Sequence, residues 1–134
     1  MFKSSLNRTA VGLLVASFLL VGCTTQTSTN QTTESTDGTG VITMNMRDYS
    51  YTPSRLEASP GETIKVKVVD QIGIHDFVID ELEVSSDTLF PGENKILNIT
   101  IPADTRVGTS YEFYCSLPDH RELGMVGQLN IVSK

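Results

Sequence analysis

Tyr111-Glu112-Phe113-Tyr114-Cys115-Ser116-Leu117-Pro118-Asp119-His120-Arg121-Glu122-Leu123-Gly124-Met125-Val126 places a thiol, an imidazole and a thioether within eleven residues. Tyr111 to Cys115 reads as a strand, with Tyr111, Phe113 and Cys115 on one face and Glu112 and Tyr114 on the other. Cys115 therefore closes a strand whose inner face points into a core. Pro118 breaks regular pairing, Gly124 lets the chain turn back, and a strand resumes at Val126. Cys115, His120 and Met125 thus ride on one strand-to-strand loop that can curl them round a point.

Working outward, the only other histidine is His75, forty residues before Cys115, in Gly73-Ile74-His75-Asp76-Phe77-Val78-Ile79. His75, Phe77 and Ile79 share a face by alternation, so His75 points inward. A soft thiolate, two neutral imidazoles and a weak thioether are what a trigonal copper site with a long axial bond requires. The expected ligands are His75, Cys115, His120 and Met125, holding one copper per chain.

Phe113-Tyr114-Cys115-Ser116, Pro118, His120 and Gly124-Met125-Val126-Gly127 resemble the copper loop of plastocyanin and its cupredoxin relatives. The spacing, Cys-x4-His-x4-Met, is longer between Cys and His than in plastocyanin and closer to that of azurin and auracyanin. The resemblance spans residues 41–134 and implies a type 1 (blue) copper protein that carries single electrons. By the same resemblance His120 reaches the surface through an apolar patch, for which Leu117, Pro118, Leu123, Ile72 and Ile74 are the candidates, and Met125 tunes the potential. Asp76 stands where plastocyanin and azurin have an asparagine tying the two ligand loops together. A carboxylate there can accept a hydrogen bond from Ser116 or a backbone N–H but cannot donate one, and its charge favours Cu(II).

The strand signals fit one domain. Ile42, Met44 and Met46 alternate, as do Leu56 and Ala58, then Ile64, Val66 and Val68 with Lys65 and Lys67 between them. Leu97, Ile99 and Ile101 form a further inward row, and Leu129 and Ile131 close the domain. Pro60-Gly61-Glu62 and Pro91-Gly92-Glu93 read as turns. Seven or eight short strands with Pro/Gly turns predict an all-β, antiparallel Greek-key β-sandwich over the ninety-four residues 41–134. Glu81 to Leu89 reads as either a short helical turn or an irregular edge.

The segment before the domain has a different chemistry. Lys3 and Arg8 precede Ala10–Val21, an apolar run of twelve residues, short for a membrane span and suited to a signal-peptide core. Leu20-Val21-Gly22-Cys23 resembles a bacterial lipobox. That resemblance implies a signal peptide over 1–22, cleavage before Cys23 and lipid on its sulfur; an uncleaved anchor or an ordinary secretory leader are the alternatives. One cysteine is then for lipid and one for metal, leaving no disulfide within the chain. Residues 23–40 form a lipidated Cys and a Thr/Ser-rich tether with no large apolar residue; the seventeen from Thr24 to Gly40 span roughly 20–25 Å as a flexible coil. These features predict an exported protein, lipid-anchored in the cell envelope and facing the periplasm or the cell exterior.

Removing Lys3 and Arg8 leaves eight basic against sixteen acidic side chains, a net charge of −8. That disfavours nucleic acid and suits a basic redox partner, such as a cytochrome with a basic docking surface. Tyr114 and Glu112, with Asp80, Glu81, Glu83 and Asp87, supply either a plastocyanin-like acidic docking patch or a generally acidic surface. The domain is expected to act as a monomer. Two histidines are too few for a multicopper oxidase or nitrite reductase, and Cys115 alone is too few for a binuclear copper loop. The reading is therefore an electron carrier and not an enzyme, with a copper-holding or copper-delivery lipoprotein as the alternative.

Overall fold

The computed structural model describes residues 40–134. The expected signal peptide, Cys23 and all of the tether but Gly40 lie outside the described residues.

Nine strands form the domain: β1 (Val41–Arg47), β2 (Ser50–Thr52), β3 (Arg55–Ala58), β4 (Thr63–Asp70), β5 (Val78–Ile79), β6 (Val84–Ser85), β7 (Asn94–Thr100), β8 (Ser110–Tyr114) and β9 (Val126–Ile131). They make two sheets, ordered β2-β1-β4-β7 and β3-β9-β8-β5-β6. This is the expected β-sandwich with two additions, β2 and the edge strand β6. The segment from Glu81 to Leu89 combines both anticipated forms: a 3-10 turn over Asp80–Leu82 is followed by β6.

The sheets are mixed rather than purely antiparallel. β1 runs parallel to β4, from Val41 opposite Lys65 to Met46 opposite Asp70, and β3 runs parallel to β9. The chain leaves one sheet, visits the other and re-enters, so a returning strand can run in the same direction; only direct hairpins force antiparallel pairing.

Alternation sets which side chains meet between the sheets. Met44, Met46, Val66, Val68, Ile99, Phe113 and Leu129 are all fully buried. Phe77 and Phe113 stack with centroids 5.1 Å apart, and Tyr51 of β2 packs edge-on against both. Each such ring contributes about 1.5–3 kcal/mol when fully buried. The Tyr51 hydroxyl donates to the Asp76 carbonyl at 2.7 Å, so this core is fastened directly to the segment that carries His75. Burial pushes the Tyr51 phenol far above its ordinary value, so it remains a donor.

The two Pro-Gly-Glu segments form the same turn. Glu62 N–H donates to the Ser59 carbonyl and Glu93 N–H to the Phe90 carbonyl, with Gly61 and Gly92 at φ 76° and 91°. Proline before a glycine at positive φ is the type II arrangement. In both turns the glutamate carboxylate also reaches back, accepting from Ser59 N–H at 2.8 Å and from Phe90 N–H at 2.9 Å.

Candidate metal centre

Three connections converge at one pole of the sandwich: β1–β2, β4–β5 and β8–β9. His75 lies between β4 and β5, where its N–H donates to the Leu89 carbonyl at 3.1 Å and its carbonyl accepts from Leu89 N–H at 2.7 Å. Cys115 follows β8 directly. The β8–β9 loop is closed by its own backbone. Cys115 N–H donates to the Met125 carbonyl, Met125 N–H to the His120 carbonyl, and His120 N–H to the Leu117 carbonyl. The three residues singled out in this loop are therefore chained by hydrogen bonds, and Asp119 takes the left-handed φ of 65° that the curl needs.

His75 and Cys115 are fully buried and His120 half-buried, and one donor atom from each lies within 4.8 Å of the other two. The Nδ1 atoms of His75 and His120 are 3.2 Å apart, and Cys115 Sγ is 3.4 Å from His120 Nδ1. Two donors each about 2 Å from a common ion at trigonal angles lie about 3.3–3.5 Å from one another. Met125 is fully buried in the same core cluster as Cys115.

The hydrogen bonds outside the triangle show that its donors fit a metal ion. Nε2 of His75 lies 2.9 Å from the Ile72 carbonyl, which can only accept. The proton of His75 therefore sits on Nε2, and Nδ1 faces His120 as a bare lone pair. Two such nitrogens 3.2 Å apart repel unless a proton or a cation lies between them. Burial pushes the Cys115 thiol above its ordinary value, against the pull of the backbone N–H groups of Asp76 and Leu117. A metal entering here displaces that proton.

Asp76 performs the tie expected of it. Its carboxylate accepts from both the N–H of Ser116, at 2.6 Å, and the Ser116 hydroxyl. The two ligand-bearing loops are joined through a carboxylate acting only as acceptor, where the family's amide both accepts and donates.

Several neighbours carried no signal in the sequence. Asp48 and Tyr49, on the β1–β2 turn, reach the centre from the side: Asp48 Oδ1 is 3.6 Å from His75 Nε2, and the Tyr49 ring meets that of His120 edge-on. Asp70, the last residue of β4, is fully buried with no hydrogen-bond partner for either oxygen. Short polar residues in turns are too common to be singled out from sequence, and Asp70 simply continues the inward alternation of Ile64, Val66 and Val68.

Outside the centre, Ile74, Phe90, Pro91, Leu117 and Pro118 line a surface hollow with His120 and Asp48. This gives the pole an apolar surface in which the expected Ile74, Leu117 and Pro118 take part; Ile72 and Leu123 are exposed. The acidic side chains near Tyr114 are locally engaged. Tyr114 donates its hydroxyl to the Asp80 carboxylate at 2.9 Å, Arg121 lies 4.0 Å over the Tyr114 ring, and Arg121 also pairs with Glu112.

A two-sheet β-sandwich with a buried His, Cys, His cluster at one pole defines a cupredoxin. The chain belongs to the family described as "Cupredoxin-like domain", whose model matches residues 13–126. Among solved structures, the chain is similar to reduced auracyanin from the photosynthetic bacterium Roseiflexus castenholzii, with a TM-score of 0.60 and 18% identity over 70% of this chain and 98% of that one. It is also similar to auracyanin B, with a TM-score of 0.58 and 16% identity over 69% of this chain and 88% of that one. At these identities the likeness establishes the fold. No curated protein sequence matches the chain.

Proposed function

We propose that this chain is a type 1 blue copper protein that carries single electrons between redox partners at the extracytoplasmic face of a membrane, anchored there by lipid on Cys23. His75, Cys115 and His120 would hold the metal, with the Met125 thioether as a further, weaker donor. When bound, copper supplies a one-electron Cu(I)/Cu(II) couple that this mixed donor set accommodates in both states. The observation that carries the reading is the convergence of Sγ and two Nδ1 atoms, with the His75 tautomer fixed by the Ile72 carbonyl.

The surrounding residues suit the role. Backbone hydrogen bonds along the β8–β9 loop and the Asp76–Ser116 tie hold the donors in place without metal, so little needs to move when an electron arrives. His120 is the half-buried donor, and Ile74, Phe90, Leu117 and Pro118 line the surface around it as a water-excluding contact for a partner. β1 begins at Val41, opposite the start of β4, and runs towards Asp48 at the metal pole.

Visible absorption and EPR of the Cu(II)-loaded protein test the site. An intense blue thiolate-to-copper band is expected. Cys115→Ala abolishes it, while Met125→Leu keeps the colour and raises the midpoint potential by roughly 40–130 mV, equivalent to about 1–3 kcal/mol for a one-electron couple. A colourless one-to-one complex would overturn the blue-copper reading, and an unchanged potential would remove Met125 from the donor set. Fast electron self-exchange is expected; slow exchange would favour copper holding or delivery. For the anchor, fatty-acid labelling in the native host should mark the wild type and not Cys23→Ser, and an unlabelled wild type would remove the lipid.

A further inference from the structure

The turn between β1 and β2 carries a strained residue beside the donors. Tyr49 has a φ of 61°, a left-handed conformation that suits glycine or asparagine and crowds an aromatic residue. Burial does not compensate, because the side chain remains 43% exposed. Its ring is instead set against His120, with centroids 5.2 Å apart and planes at 89°. Strain that is retained at an exposed side chain, and that aims the side chain at a functional group, points to a role for that group.

The turn is well placed to act as a fixed wall. Arg47 pairs with Ser50 at its base. Gln71 N–H donates to the Met46 carbonyl, and Arg47 Nε donates to Gln71 Oε1 at 2.8 Å. These bonds fasten the turn to the exit of β4, the same segment that leads to His75. The His120 ring is less secured. Its polar contacts, to His75 and Cys115, are both made through Nδ1. His75, by contrast, is also locked through Nε2 by the Ile72 carbonyl.

The geometry points to Tyr49 as a positioning residue for His120: its ring holds the imidazole in the orientation that keeps Nδ1 on the side of Cys115 and His75. The aromatic wall does for His120 what a hydrogen bond does for His75. The inference rests on reading His120 as a copper ligand, and a metal-free measurement separates the two.

The test uses the full chain with Tyr49→Asn, which relaxes the backbone and removes the ring, and Tyr49→Phe, which keeps the ring. In the metal-free protein, NMR signals of the His120 ring are expected to lose their ring-current displacement and broaden in Tyr49→Asn, and to stay near wild type in Tyr49→Phe. The melting temperature of Tyr49→Asn is expected to equal or exceed that of wild type, because left-handed strain is relieved. In the copper form, self-exchange slows several-fold in Tyr49→Asn and is kept in Tyr49→Phe. Retention of sharp, dispersed His120 ring signals in Tyr49→Asn overturns the wall whatever the copper form does. A lower melting temperature in Tyr49→Asn with the His120 ring signals still sharp identifies Tyr49 as a packing residue and likewise overturns it. Broadened ring signals with unaltered self-exchange uphold the wall and confine its effect to the metal-free protein, whereas a colourless Cu(II) complex of the wild type removes His120 as a copper ligand and leaves the metal-free result standing.

Discussion

Asp70 and Asp76 are buried carboxylates on either side of His75, and their partners decide what each does. Asp76 is satisfied by the backbone and hydroxyl of Ser116. Asp70 has no hydrogen bond of good geometry among the described residues, and burial pushes its carboxyl above the ordinary carboxylate range, outweighing the weaker pull of the His75 ring and of the nearby His75 and Ile72 backbone N–H groups. A raised folded-state value means that the stability linked to its proton is fully present below the ordinary carboxylate range. That stability is lost as pH rises through the folded value. The charged form of the buried Asp70 carboxyl is therefore the one that costs stability. Asp70→Asn is expected to stabilise the metal-free protein by about 1–2 kcal/mol at pH 7, with the gain shrinking as pH falls into the carboxylate range. Urea denaturation at both pH values checks this, and an unchanged or lower midpoint at pH 7 would show that Asp70 is compensated. At this scale the sequence named His75, Cys115, His120 and the Asp76–Ser116 tie because their types are uncommon or their spacing diagnostic. It missed Asp48, Tyr49 and Asp70 because nothing local distinguishes them from ordinary turn or strand residues.

Among the elements, the β8–β9 pair holds the centre together. Phe113 stands directly opposite Gly127 in its ladder, and a side chain at Gly127 would run into the Phe113 ring and the Ser54 carbonyl. The bare position lets the ring lie flat against the neighbouring strand, one residue pair away from the Tyr114–Val126 rung that leads into the ligand loop. Gly127→Ala is expected to destabilise the metal-free domain by about 1–3 kcal/mol through overpacking, read as a lower denaturant midpoint; a midpoint equal to wild type would mean that the sheet shifts freely there. Long strands such as β1 and β4 were legible because alternation over seven or eight residues is unmistakable. β2 and β6, of three and two residues, are too short for alternation to show; β2 exists because the longer β1 pairs with it, and β6 because it folds back on the equally short β5.

For the whole molecule, charge sets how a partner arrives. Sixteen acidic against ten basic residues give the whole chain a net charge of −6, and the proposed cleavage before Cys23 would make it −8, while the pole that carries the donors is apolar. A basic cytochrome is proposed to be steered by the overall field and then to seat on the apolar pole. The rate of electron transfer with such a partner is expected to fall steeply as ionic strength rises through about 0.1 M, where the screening length is about 10 Å. Stopped-flow kinetics over a salt series checks it, and a flat profile would leave docking to the apolar contact alone.

The sequence by itself determined the sandwich, its inward rows and the loop that carries Cys115, His120 and Met125, because alternation, turn residues and short spacings are local properties of the chain. It also determined that His75 faces inward. Tertiary structure alone decided that Sγ and two Nδ1 atoms meet, that the Ile72 carbonyl fixes the His75 tautomer, that two strand pairs run parallel, and that the β1–β2 turn sets Tyr49 against His120. The meeting of His75 with Cys115 and His120, the parallel pairs and the Tyr49–His120 contact depend on segments tens of residues apart being brought together by the crossovers between sheets, and no local pattern encodes the distance across such a crossing; the Ile72–His75 contact is short in sequence but depends on the folded shape of its loop.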